Sequence, residues 1–142
     1  MDATLLIVAL STLTVTSYQP TPAQTKPECK DRYHCQTSID DNVTMYGVAI
    51  SQDLLHSGIV QYGDVLNVPG FGLRVVNDVM GPTRCAKRNN EGRCMKRVPQ
   101  TKAIDLMVFS YEEEHRVGTR HLPVTRIRQI EPTKMPGMRG KK

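Results

Sequence analysis

The sequence predicts a mainly β domain closed into a small barrel, and three observations lead there. Val, Ile and Thr recur in short runs broken by Gly and Pro at intervals of about ten residues, the rhythm of short strands and tight turns. With two Phe, five Tyr and no Trp, the core has to be assembled from Val, Ile, Leu and Met. About six such strands are too few for two well-covered sheets, whereas closing them on themselves removes exposed edges. At 142 residues the chain suits one domain with tails, and a bundle of long helices is disfavoured.

The elements follow in order. The apolar run TLLIVAL (4–10) and the alternating segment after it read as a first strand to about Ser17. Residues 24–44 are polar and read as a long surface loop. MYGVAIS (45–51) alternates as a strand, and QDLLHSG (52–58) fits one helical turn stopped by Gly58. YGDVLNV and LRVVND flank PGFG (69–72) and should pair as a hairpin. Residues 81–101 are polar, basic and bounded by cysteines, an excursion between strands. KAIDLMVF returns to strand, SYEEEHRVG (110–118) is a short helix with Ser110 as N-cap, and HLPVTRIRQI (121–130) closes the domain. Three segments result: an apolar 1–11, a barrel domain 12–130 and a basic tail 131–142 whose Pro and Gly oppose regular structure.

A formal net charge of +5 favours an acidic neighbour, such as nucleic acid or an anionic wall or membrane surface. Scarce aromatics argue against base stacking, so nucleic acid is not expected. The cysteines form two local pairs, Cys29 with Cys35 and Cys85 with Cys94; neither spacing is that of a zinc knuckle or a redox motif, and no metal is expected. Two short disulfide loops suit an oxidising compartment, while spacing alone leaves the connectivity open and free thiols as the alternative. The 4–10 run is too short to span a bilayer and has Asp2 where an export signal carries positive charge, which leaves a weak signal and a first strand as its two readings.

Two acids interrupt apolar segments: Asp78 in LRVVNDVM (73–80) and Asp105 in AIDLMVF (103–109). Strand alternation sets Asp105 and Met107 opposite Ile104, Leu106 and Val108, and sets Asp78 on the face of Arg74 and Val76. If the two strands are barrel neighbours, both carboxylates meet in one groove. Burying such groups costs several kcal/mol or raises their pKa, and that cost commonly marks chemistry, although an Asp at a strand end often only caps a turn.

Leu13 to Arg126 resembles the three-aspartate ("3D") domain, a double-psi β-barrel family related to the catalytic domain of membrane-bound lytic transglycosylase A. The matching pieces are TVTSYQPTPAQT, GVAISQDLL, YGDVLNVPGFGLRVVNDVM, AIDLMVF and EEHRVGTRHLPV. The resemblance implies an all-β, six-stranded double-psi β-barrel with one or two short helices, its three acids at Asp53, Asp78 and Asp105, with Ser51 as an alternative for the first and Asp64 nearby. Val79 and Met80 follow Asp78 where the family usually carries Thr or Thr-Gly-Gly, and the loop between the second cysteine pair looks like an insertion.

The resemblance further implies cleavage of the β-1,4 bond between N-acetylmuramic acid and N-acetylglucosamine in peptidoglycan, leaving a 1,6-anhydro ring. One carboxyl suffices: it protonates the leaving oxygen and then takes the proton of the muramoyl 6-hydroxyl. Asp105 would be that acid, Asp78 would raise its pKa or steady the cationic transition state, and Asp53 would orient the trio. Tyr18, Tyr46 and Tyr62 are candidates for stacking on sugar rings, with core packing as their plainer role. His56, His115 and His121 receive no role. No cofactor is required, and the expected setting is a periplasmic or extracellular monomer acting on glycan strands without a stable membrane span, in bacterial or phage lysis. The basic loop 84–97 would meet acidic stem peptides, or be a solvated face. The rival reading is a non-cleaving, expansin-like wall-binding barrel.

Overall fold

The computed structural model describes residues 4–19 and 46–130. In chain order the elements are β1 (Thr4–Tyr18), β2 (Gly47–Ile50), α1 (Gln52–His56), β3 (Val65–Val68), β4 (Gly72–Val79), β5 (Thr83–Arg88), β6 (Cys94–Pro99), β7 (Ala103–Met107), α2 (Tyr111–Val117) and β8 (Arg120–Ile130). Six strands close a barrel in the order β1-β7-β2-β4-β3-β8, with β8 returning to β1. The β1–β7 and β2–β4 pairs are parallel and the other four antiparallel. That mixture requires crossing connections, as the double-psi expectation does, and an up-and-down meander cannot produce it. The loop read at 24–44, the Cys29/Cys35 pair and the tail 131–142 lie outside the described residues.

The interior is aliphatic, as the composition demands. Leu13 and Val15 of β1, Val48 and Ile50 of β2, Leu66 and Val68 of β3, and Ile104 and Leu106 of β7 are all fully buried. Each contributes about 1.5–3 kcal/mol relative to remaining exposed. Leu54 of α1 and Val117 of α2 join the same core from outside the strands. Ser110 caps α2 as its position predicts, its hydroxyl accepting from Glu113 N at 3.1 Å. Arg116 and Arg120 then lie over the Phe71 ring, 5.9 and 5.3 Å from its centroid, fastening the helix to the β3–β4 turn.

The apolar 4–10 run belongs to β1, where Thr4 to Ala9 pair with Ile130 to Thr125 of β8. Residues 81–101, which the sequence marks as a polar, basic excursion between strands, contain β5 and β6, an antiparallel ribbon that forms a sheet of its own. Strand periodicity was hidden there by charge: a ribbon exposed on both faces has no apolar side to display. Cys85 and Cys94 are disulfide-bonded across it, with Cα atoms 5.8 Å apart.

One strand departs from simple alternation, and it does so at an acid. Val48 of β2 faces Val76 of β4, but the next residue, Ala49, faces Asp78, so Asn77 is an extra residue in β4. This β-bulge corrects the expectation that Asp78 shares the face of Val76. Val76 points into the core, while Asp78 is turned outward with Ala49. The Asn77 side chain covers Gly47, where an added Cβ would stand 2.9 Å from its amide atoms.

Candidate active site

The outward row on this side of the barrel runs through four neighbouring strands. Thr16 of β1 faces Asp105 of β7, Asp105 faces Ala49 of β2, and Ala49 faces Asp78 of β4. The strands bearing the two acids are therefore not neighbours; β2 separates them, and it does so with one of the smallest side chains. Tyr18, Ala49 and Met107 pack with Met80 and Phe109 as a small apolar cluster outside the main core. The acids thus sit in apolar surroundings that the barrel interior does not supply.

The electrostatics follow from that burial. Desolvation pushes the Asp105 carboxyl up to about 6; Thr16 Oγ1, donating to Asp105 Oδ1 at 2.8 Å, opposes the rise, and the charges of Glu114 and then Asp78 add to it. Both carboxylates act on Tyr18 as well: burial first, then the charges of Asp78 and Asp105 and a hydrogen bond to Asp78, raise its phenol so that it stays protonated. Asp78 also accepts from Val79 N through Oδ1 at 2.9 Å. Glu114, on α2, accepts from Gln19 Nε2 at 2.8 Å. Sequence reasoning missed Glu114, because nothing in a run of three glutamates on a helix says which one turns toward the barrel.

Asp53 stands apart from this cluster. Its carboxylate accepts from Lys102 N, at 3.0 Å to Oδ2 and 3.3 Å to Oδ1, and so holds the turn into β7, where Lys102 has φ 47°. Partial burial raises its pKa, but hydrogen bonds from Ser51 and the Lys102 and Leu54 amides outweigh this, and the net shift is downward. Ser51, the alternative for that position, is fully buried and accepts from Ala103 N at 3.1 Å. Asp64 is likewise committed, gripped by Arg128 through Nε and Nη2 at 2.8 and 2.7 Å. Tyr18 is too buried to serve as a sugar platform, whereas Tyr46 and Tyr62 are exposed, at 65% and 36%.

Beside the acid row lies a groove of about 440 Å³. Thr14, Thr16, Ala103 and His121 form its floor, with Thr14 Oγ1 3.3 Å from His121 Nδ1. Arg84 and Pro99 of the β5–β6 ribbon, with Gln100 just beyond it, form a rim. Thr16 belongs both to this floor and to Asp105, so it joins the groove to the acids, although neither acid lines the groove itself. His121 had received no role from sequence; the β1–β8 register that puts it opposite Thr14 is what brings it here. Among the described residues no group of three or more His, Cys, Asp or Glu is arranged to hold a metal ion.

Fold and site together define a closed β-barrel with a carboxylate of raised pKa beside a polar groove. No family model matches the chain, and no curated protein matches it significantly.

Proposed function

We propose that this chain cleaves the glycan strands of peptidoglycan as a lytic transglycosylase, with Asp105 as the single acid and base. One observation carries the reading: the buried Asp105 carboxyl, lifted to about 6, lies beside a second outward-facing acid and is joined through Thr16 to a groove of about 440 Å³. The likeness of the acid-bearing segments to the three-aspartate family supports the same reaction. Asp105, protonated, gives its proton to the glycosidic oxygen as the C1–O bond breaks. The muramoyl 6-hydroxyl then bonds to C1, and its proton returns to Asp105, so no water is consumed. Thr16 fixes the orientation of the carboxyl, and Asp78 with Glu114 supplies negative charge that favours both the protonated acid and the cationic transition state.

A second reading, a wall-binding barrel without cleavage, is favoured by the absence of both acids from the groove's lining and by the partners they already hold. Digestion of purified sacculi separates the two. Release of 1,6-anhydro muropeptides by the parent protein and not by Asp105→Asn supports cleavage, whereas retention on the wall with no such product supports binding alone.

A further inference from the structure

The excess positive charge of this chain resides on one ribbon. Residues 83–99 hold six basic side chains against one acid, Glu91, which leaves five, equal to the formal +5 of the whole chain; elsewhere thirteen bases balance thirteen acids. All six are exposed. Arg88 and Arg97 are turned onto the ribbon itself, donating to Gly92 O at 3.0 Å and to Thr83 Oγ1 at 2.8 Å. Among the described residues Arg84, Lys87, Arg93 and Lys96 make no ion pair.

The pairing makes this arrangement costly. Lys87 of β5 stands directly opposite Lys96 of β6, a cross-strand pair of like charges that weakens a two-stranded ribbon already marginal by itself. The Cys85–Cys94 disulfide holds the strands together against that repulsion. At the ribbon's base, Arg84 reaches the rim of the groove beside the acid row.

We propose that the β5–β6 ribbon is an arm that binds carboxylate groups carried by the glycan strand lying in the groove. This rests on the wall-glycan reading above and adds to it a specificity: acidic substituents are engaged away from the bond that reacts. Continuity of the arm with the groove through Arg84 favours one ligand spanning both, and the lack of aromatic side chains on the arm disfavours a nucleic acid. Its binding should therefore be salt-dependent, as ion pairing at an exposed surface is.

The test compares binding to purified sacculi before and after their carboxylates are converted to amides, using the parent protein, Asp105→Asn, and the triple variant Arg84→Gln, Lys87→Gln, Lys96→Gln. The parent and Asp105→Asn are expected to bind the untreated wall at least tenfold more tightly than the amidated wall, with the difference vanishing in high salt; the triple variant is expected to bind both walls alike and weakly. Equal binding of the triple variant and the parent to the untreated wall overturns the proposal, as does binding of the parent to a random-sequence DNA duplex as tight as to the wall. Because Asp105→Asn is scored for binding alone, failure of the cleavage reading shows as missing anhydro product and leaves the arm's charge dependence measurable on its own.

Discussion

Asp78 and Asp105 face the same side of the barrel because a single extra residue, Asn77, shifts the register of β4 by one. Without that shift the alternation of β4 would carry Asp78 toward the core with Val76. The acid pair is thus a product of irregular pairing.

Asp105→Asn should stabilise the protein while disabling it. A carboxyl at about 6 in the fold against an ordinary 3.8 binds its proton more tightly when native, so folding is favoured most below about pH 4 and loses that advantage as pH rises through 6. The gap corresponds to about 3 kcal/mol at pH 8, relieved in the amide variant. Denaturant melts at pH 4 and pH 8 should show equal stability at the first and a gain of about 2–3 kcal/mol at the second, with anhydro-product release down about 10²–10⁴-fold.

The pH profile of cleavage should fall as Asp105 loses its proton, and Glu114 should set where. Its charge ranks ahead of Asp78 among the carboxylates that raise Asp105, so Glu114→Gln should move the falling limb of kcat/KM to lower pH, and Asp78→Asn should move it less. An unmoved limb in both variants would assign the high pKa to burial alone.

Asp53→Ala should act on stability. Losing the acceptor for Lys102 N costs about 0.5–1 kcal/mol, read as a lower urea midpoint, while the rate of product release per folded molecule stays within twofold. A hundredfold loss of rate with an unchanged midpoint would instead place Asp53 in the chemistry.

Gly47→Ala introduces a Cβ that collides with the Asn77 amide. Displacing that buried side chain costs about 1–3 kcal/mol. Since Asn77 is the bulge residue, cleavage should decline more than stability accounts for, a difference visible when activity is measured well below the melting temperature.

Cys85→Ser with Cys94→Ser should leave the barrel's thermal midpoint nearly unchanged, because β5 and β6 share no sheet with it. Amide exchange on the ribbon should accelerate markedly, and sacculus binding should weaken. A drop of more than about 5 °C in the midpoint would show that the ribbon supports the barrel.

Much of this was readable in advance from residue patterns. The aliphatic alternation of Ile104, Leu106 and Val108 gave the inward face of β7 correctly, and with it the outward aim of Asp105; PGFG marked the β3–β4 turn, and Ser110 marked the start of α2. What stayed hidden depends on pairing between distant segments. A bulge at Asn77 leaves no periodic trace, since VVND reads as regular alternation until the partner strand shows two residues opposite one. The closeness of Glu114 to Asp105 and of His121 to Thr14 likewise arises only when the barrel closes.

The ribbon leaves and rejoins the barrel through a narrow neck, where Gln100 N donates to Pro82 O at 2.9 Å and Gln100 Nε2 to Gly81 O at 2.8 Å. Its two ends are therefore within one hydrogen bond of each other, and a connection of about two to five residues can replace everything between them. The barrel is thus a chassis on which ribbons of other lengths and charges can be mounted without altering its strand order.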